Sequence, residues 1–194
     1  MSKKSKYFIG RRYLTLKVLS FILVIFLLGT QSSFAALESY MSINSDSLGV
    51  VEGDTITQGR EGMHVIYDIQ HQIEVPIDPN SGNPTGVPIH NLFMITTHLG
   101  KGTPELYEML MTGDRSDITI EYYRIDAAGR EVNYFTVTLE DAVIIDILHE
   151  KPDVIDENNK PYHDMISLSF SYRKITWTYQ VDGVSYGVTR QHIN

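Results

Sequence analysis

No cysteine occurs in the 194 residues. That excludes a disulfide framework, a thiolate metal site, a cysteine nucleophile and a lipid-modified cysteine. Basic residues are also few: 16 Lys+Arg stand against 24 Asp+Glu, a formal net charge of −8. Nucleic-acid binders draw their affinity from Lys and Arg contacts to phosphate, so that class is disfavoured. There is no run of the roughly 20 apolar residues that a helix needs to cross a bilayer. What is present is ordinary for a folded globular protein, with 42% hydrophobic and 21% charged residues. Disorder, collagen and coiled coil are therefore excluded for the chain as a whole, and the length fits one domain.

The first 35 residues differ from the rest. Lys3, Lys4, Lys6, Arg11, Arg12 and Lys17 precede any acid, and an uncharged apolar run of 11 residues follows from Val18 to Leu28. Small residues then surround Phe34-Ala35-Ala36. A basic start, a short apolar core and a small-residue exit are the parts of a secretory signal peptide, with cleavage expected after Ala35. The alternatives are an uncleaved signal anchor and an over-extended start codon. Without residues 1–35 the chain carries 10 Lys+Arg and 24 Asp+Glu, a net charge of −14. Such a surface is repelled by anionic membranes and by DNA.

Residues 36–194 read as one mainly β domain, an antiparallel barrel or sandwich with one short helix. Apolar residues alternate through Val65–Ile69, Ile118–Tyr122, Val143–Leu148 and Ser167–Ser171, the period of strands. Asp126-Ala-Ala-Gly129 is a turn, and Asp182-Gly183 predicts a two-residue hairpin. Thr103-Pro104-Glu105 predicts a helix start with Thr103 as the N-cap, Leu106, Tyr107, Leu110 and Met111 predict its packed face, and Gly113 its end. Asn44–Gly59, Asp78–Val87 and Glu150–Asp164 read as loops.

Catalytic signatures are missing from the sequence. The seven histidines show neither His-x-His nor H-E-x-x-H spacing, and no serine sits in a G-x-S-x-G elbow. His149 and His163 flank an acidic loop with Asp153, Asp156 and Glu157, which reads as a solvated loop in preference to a metal site. Glu140-Asp141 are sequence neighbours in a strand pattern, where adjacent side chains point to opposite faces. The expectation is a protein that is not an enzyme and needs no cofactor or metal.

Five blocks, in order, carry a resemblance. They are Gly86-Val-Pro-Ile-His90-Asn-Leu-Phe93, Thr103-Pro-Glu-Leu-Tyr107 with Thr112-Gly113, Tyr123-Arg-Ile-Asp-Ala-Ala-Gly129-Arg-Glu131-Val-Asn-Tyr134-Phe135, Leu139-Glu-Asp-Ala-Val143, and Tyr172-Arg-Lys-Ile175-Thr-Trp177-Thr-Tyr179. Over roughly residues 38–190 the chain resembles the haemolysin co-regulated protein (Hcp) family, the tube-forming proteins of type VI secretion. The resemblance implies a β-barrel with one helix that assembles as a homohexameric ring. It also implies rings that stack into a tube carrying effectors in its lumen, with spike and sheath proteins as further partners. The Asn44–Gly59 loop resembles the family's protruding loop, which makes Asp46, Glu52, Asp54, Arg60 and Glu61 the candidate ring-contact residues. The leader departs from the family, whose tube is assembled in the cytoplasm, and implies export through the periplasm to a secreted location. Two other readings stand beside this one: an exported β-barrel that binds a carbohydrate or surface partner through its tyrosines, and a periplasmic hydrolase with dispersed residues.

Overall fold

The computed structural model describes residues 37–159 and 163–190. The expected leader and its cleavage point lie outside the described residues. The described residues form twelve strands: β1 Ser39–Ser45, β2 Gly49–Val51, β3 His64–Ile66, β4 Asp68–Gln70, β5 Ile73–Glu74, β6 Ile89–His90, β7 Phe93–His98, β8 Arg115–Ile125, β9 Glu131–Glu150, β10 Met165–Ser171, β11 Lys174–Tyr179 and β12 Val184–Thr189. Among the described residues one α-helix, α1, spans Thr103–Thr112, and one 3-10 turn spans Glu157–Asn159.

Every named pairing is antiparallel, and ten strands make one sheet with a path β2-β1-β8-β9-β10-β7-β4. The sheet closes on itself. β3 pairs with β1 and β4 pairs with β7, and the two are separated by one residue, Tyr67, whose N–H donates to Thr96 O at 2.9 Å. The run Val65–Ile69, expected as one strand, is thus split between two neighbours and becomes the seam of the barrel.

Alternation explains the core. Ile118 and Ile120 on β8, Val137 and Leu139 on β9, and Ile166, Leu168 and Phe170 on β10 all point inward and are buried, joined by Met41, Ile43, Phe93, Ile95 and Ile175. Burying such side chains contributes about 1.5–3 kcal/mol each. α1 packs against β9 and adds Leu106 and Met109, both fully buried. Sequence periodicity placed Met111 on that face; the structure puts Met109 there, with Leu110 half-buried and Met111 79% exposed. The helix also starts a residue earlier than expected. Thr103 Oγ1 accepts from Gly100 N–H, while Gly102 takes the N-cap place and its carbonyl accepts from Leu106 N–H. Gly113 ends the helix in the left-handed region at φ 67°, and its N–H donates to Met109 O.

β9 is 20 residues long and serves two halves of the barrel. Its first half pairs with β8 and β11, and its second half with β10. Between them Asp141 adopts φ 51°, the only described non-glycine residue with positive φ. Two other expectations need correction. Register pairs Tyr179 with Val184, so the β11–β12 connection is the four residues Gln180–Gly183 and not a two-residue turn. A two-residue I′ turn needs positive φ at both centres, and only Gly183 has it. Asn44–Gly59 is not all loop, since it contains the end of β1 and the whole of β2.

Candidate functional site

The five polar residues expected at the rim separate on inspection. Asp46 and Glu61 are exposed, and Glu61 accepts from Gly59 N–H within its own turn. Glu52 pairs with Lys101 at 2.7 Å. Asp54 accepts from Lys101 N–H and contacts His98 Nε2 at 3.1 Å. Burial works to raise the Asp54 pKa, but the Lys101 N–H and His98 outweigh it and hold the carboxyl below the usual range. Arg60 lies inside: it is 7% exposed, its guanidinium sits 3.6 Å from the Tyr123 ring centre and 4.6 Å from that of Tyr40, and Nη1 donates to Glu131 at 3.0 Å. Desolvation opposes its charge, but Glu131 and the two tyrosines more than offset that and raise its pKa. The segment folds tightly here because Gly53 passes the backbone of Met63; a Cβ at Gly53 would meet Met63 O at 2.3 Å.

Adjacent carboxylates meet after all at the β9 corner. The left-handed Asp141 turns its side chain so that both it and Glu140 engage Arg173, with Glu140 also bound by Lys174 at 2.5 Å and Arg115 3.9 Å from Asp141. Alternation along an extended strand did not anticipate this, because it fails at a residue with positive φ. The result is a partly exposed ion-pair network where β8, β9 and β11 meet. Among the described residues no three His, Asp or Glu side chains are placed to hold a metal ion. An open concavity is lined by Tyr67, His98, Leu99, His163 and Asp164.

Two apolar surfaces are left uncovered. The first continues the core face of the sheet. Directly opposed residues share a face, so the rows Ile120–Val137–Trp177–Tyr186 and Tyr122–Phe135–Tyr179–Val184 run outward from the barrel interior. Ile120 and Val137 are buried, Tyr122, Phe135 and Trp177 are half-buried against the core, and Tyr186 and Val184 are 68% and 66% exposed. Trp177 and Tyr186 stack with ring centres 6.3 Å apart. β12 has β11 as its single described sheet partner, so no other described residue pairs with its outer edge. The second surface is a projecting arm, residues 71–92, in which β5 pairs with β6 and Ile77 bridges to Pro84. Ile73, Val75, Ile77, Val87 and Ile89 are all exposed on it. Sequence reading missed the arm because its apolar residues lie among prolines, glycines and polar residues that signal a loop.

The family described as "Type VI secretion system effector, Hcp" matches residues 40–179. The "Major exported protein" of Pseudomonas aeruginosa is 35% identical over 160 residues, covering 77% of this chain and 93% of that protein. A crystal structure of an Hcp protein is similar at a TM-score of 0.74 and 27% identity, covering 79% of this chain and 98% of that one. The secreted protein Hcp3 from Pseudomonas aeruginosa follows at 0.63 and 28%, with 79% and 99% covered. The matched residues contain all of β1 but its first residue, strands β2 to β11, the arm and α1, and on that extent the chain belongs to the Hcp family of type VI secretion proteins.

Proposed function

We propose that this chain is the ring subunit of a type VI secretion tube, a homohexamer whose rings stack and carry effectors, acting by assembly and not by catalysis. The observation that carries the reading is the uncovered core face on β11 and β12 beside an open strand edge. An exposed apolar sheet face ending in unpaired N–H and C=O groups is a liability for a protein that stays alone. A neighbour rotated by a fixed angle covers it with a different patch of its own surface, and such a heterologous contact closes into a ring. The apolar arm supplies a second patch of that kind. Asp46 and Glu61 are the exposed carboxylates of the 46–61 segment left to face an adjacent ring, while Glu52 and Asp54 are already held by Lys101 and His98, and Arg60 is taken up inside its own subunit. Spike and sheath proteins are the further partners of such a tube, and the leader sends the product out through the periplasm.

Light scattering on the purified protein tests this. The expected mass is about six times that of the monomer, falling to the monomer in Tyr186→Asp, which places a charge on the uncovered face. A monodisperse wild-type monomer at tens of micromolar refutes the ring.

A further inference from the structure

The arm is fastened to the barrel by one polar cluster. His71, on the link from β4 to β5, places Nε2 2.8 Å from Tyr172 Oη. His90, on β6, places Nδ1 2.9 Å from the same oxygen. The two histidines are the two roots of the arm, and Tyr172, just after β10, belongs to the barrel and is 3% exposed. The His71 ring also lies on Phe93, with centres 4.8 Å apart.

Proton counting shows what this arrangement requires. A phenol has one proton, so Tyr172 donates to one neutral imidazole and accepts an N–H from the other. With both histidines neutral, both bonds to the phenol oxygen are made. With both protonated, each nitrogen is a donor, and the phenol proton loses its acceptor in a buried place, which is costly. The charged surroundings push the same way. The groups facing the cluster are His71, His90, Tyr172 and, from the chain just after β12, Arg190, whose guanidinium carbon is 5.6 Å from the Tyr172 ring centre and which donates to Ser171 Oγ. His71 and His90 both bond the Tyr172 oxygen and Arg190 bonds Ser171, and no carboxylate takes part in these bonds. A proton on either imidazole is therefore disfavoured here.

We propose that the His71–Tyr172–His90 bridge is an acid-released clasp, holding the arm against the barrel at neutral pH and freeing it on mild acidification. The clasp does not rest on the ring reading, since all of its groups belong to one chain. Desolvation, then the neighbouring His90, lowers the His71 pKa to about 4, and desolvation, then Arg190, lowers that of His90. A depressed histidine favours the clasped state fully above its free pKa of about 6.5, and that preference is lost as pH falls towards the clasped value. For His71 alone the ratio of released to clasped arm rises about 30-fold between pH 7.5 and pH 5.

The absence of native cysteine makes the test direct. Nitroxide labels on Ser81→Cys at the arm tip and Ala127→Cys in a barrel turn, in full-length protein diluted with unlabelled protein, report the arm-to-barrel distance by pulsed electron paramagnetic resonance. A single narrow distance at pH 7.5 is expected to give way to a broad distribution by pH 5, while Trp177 fluorescence stays native. Tyr172→Phe is expected to release the arm already at pH 7.5. His71→Gln, an amide that bonds the phenol and takes up no proton, is expected to flatten the pH response. A distance unchanged down to pH 5, a release that coincides with barrel unfolding, or a His71→Gln protein that titrates like wild type overturns the proposal.

Discussion

Arg60 offers the sharpest test of how this protein uses its charged residues. Two aromatic faces and a carboxylate surround a guanidinium that solvent barely reaches. A desolvated cation over a tyrosine contributes about 1–2 kcal/mol, and two faces sharing one cation give less than twice that. The ion pair adds under about 1 kcal/mol, because the Glu131 side chain is 37% exposed and partly screened. Replacing Arg60 by Met keeps most of the volume and removes the charge, so a loss of about 2 kcal/mol is expected. Ala also removes the packing, for a loss of about 3 kcal/mol in all. Lys keeps the charge without the planar stack and falls between wild type and Met. Urea unfolding followed by the fluorescence of Trp177, the single tryptophan, measures all three. The order Lys, Met, Ala in increasing loss is the expected result. If Arg60→Met keeps the wild-type midpoint while the assembled mass collapses, Arg60 serves a neighbouring subunit and the internal assignment is wrong.

Two further predictions concern α1 and the leader. Leu106→Ala should cost about 3 kcal/mol by opening a cavity against β9, whereas Met111→Ala should stay within about 0.5 kcal/mol of wild type; equal costs in urea unfolding would mean that the helix faces the other way. Residues 1–40 fused to a reporter active only in the periplasm should light it, with the mature native protein starting at Ala36, and a dark reporter with no leader ever made would show that the start had been misread.

How much of this was legible beforehand depends on the kind of signal. β8 announces itself through alternation, because its buried residues Ser116, Ile118 and Ile120 share one face, and β10 does so through Ile166, Leu168 and Phe170, with Ser169 alone buried on the other. α1 was found from its cap residues and apolar spacing, but Met109 and Met111 are both apolar, and which of them faces β9 is decided by tertiary packing. The split at Tyr67 was hidden because β3 and β4 form one apolar run, and the break shows only in their partners. The burial of Arg60 was hidden for a related reason: nothing local marks a guanidinium whose aromatic partners, Tyr40 and Tyr123, come from distant strands. The candidate site was the least legible part. Apolar residues left exposed on the arm and on β12 look the same in sequence as apolar residues that are buried.

The pairing of β1 also sets a schedule. Ser39 finds its β8 partner in Tyr122, 83 positions later along the chain. Closing so long a loop costs chain entropy before any contact repays it, and folds built this way form in milliseconds to seconds. At roughly 5–20 residues per second, a ribosome needs about 4–17 s to make the missing stretch. Through that interval the first strand has no β8 to pair with, and the barrel cannot shut. A chain handed over during those seconds is still thread, with no closed core to undo.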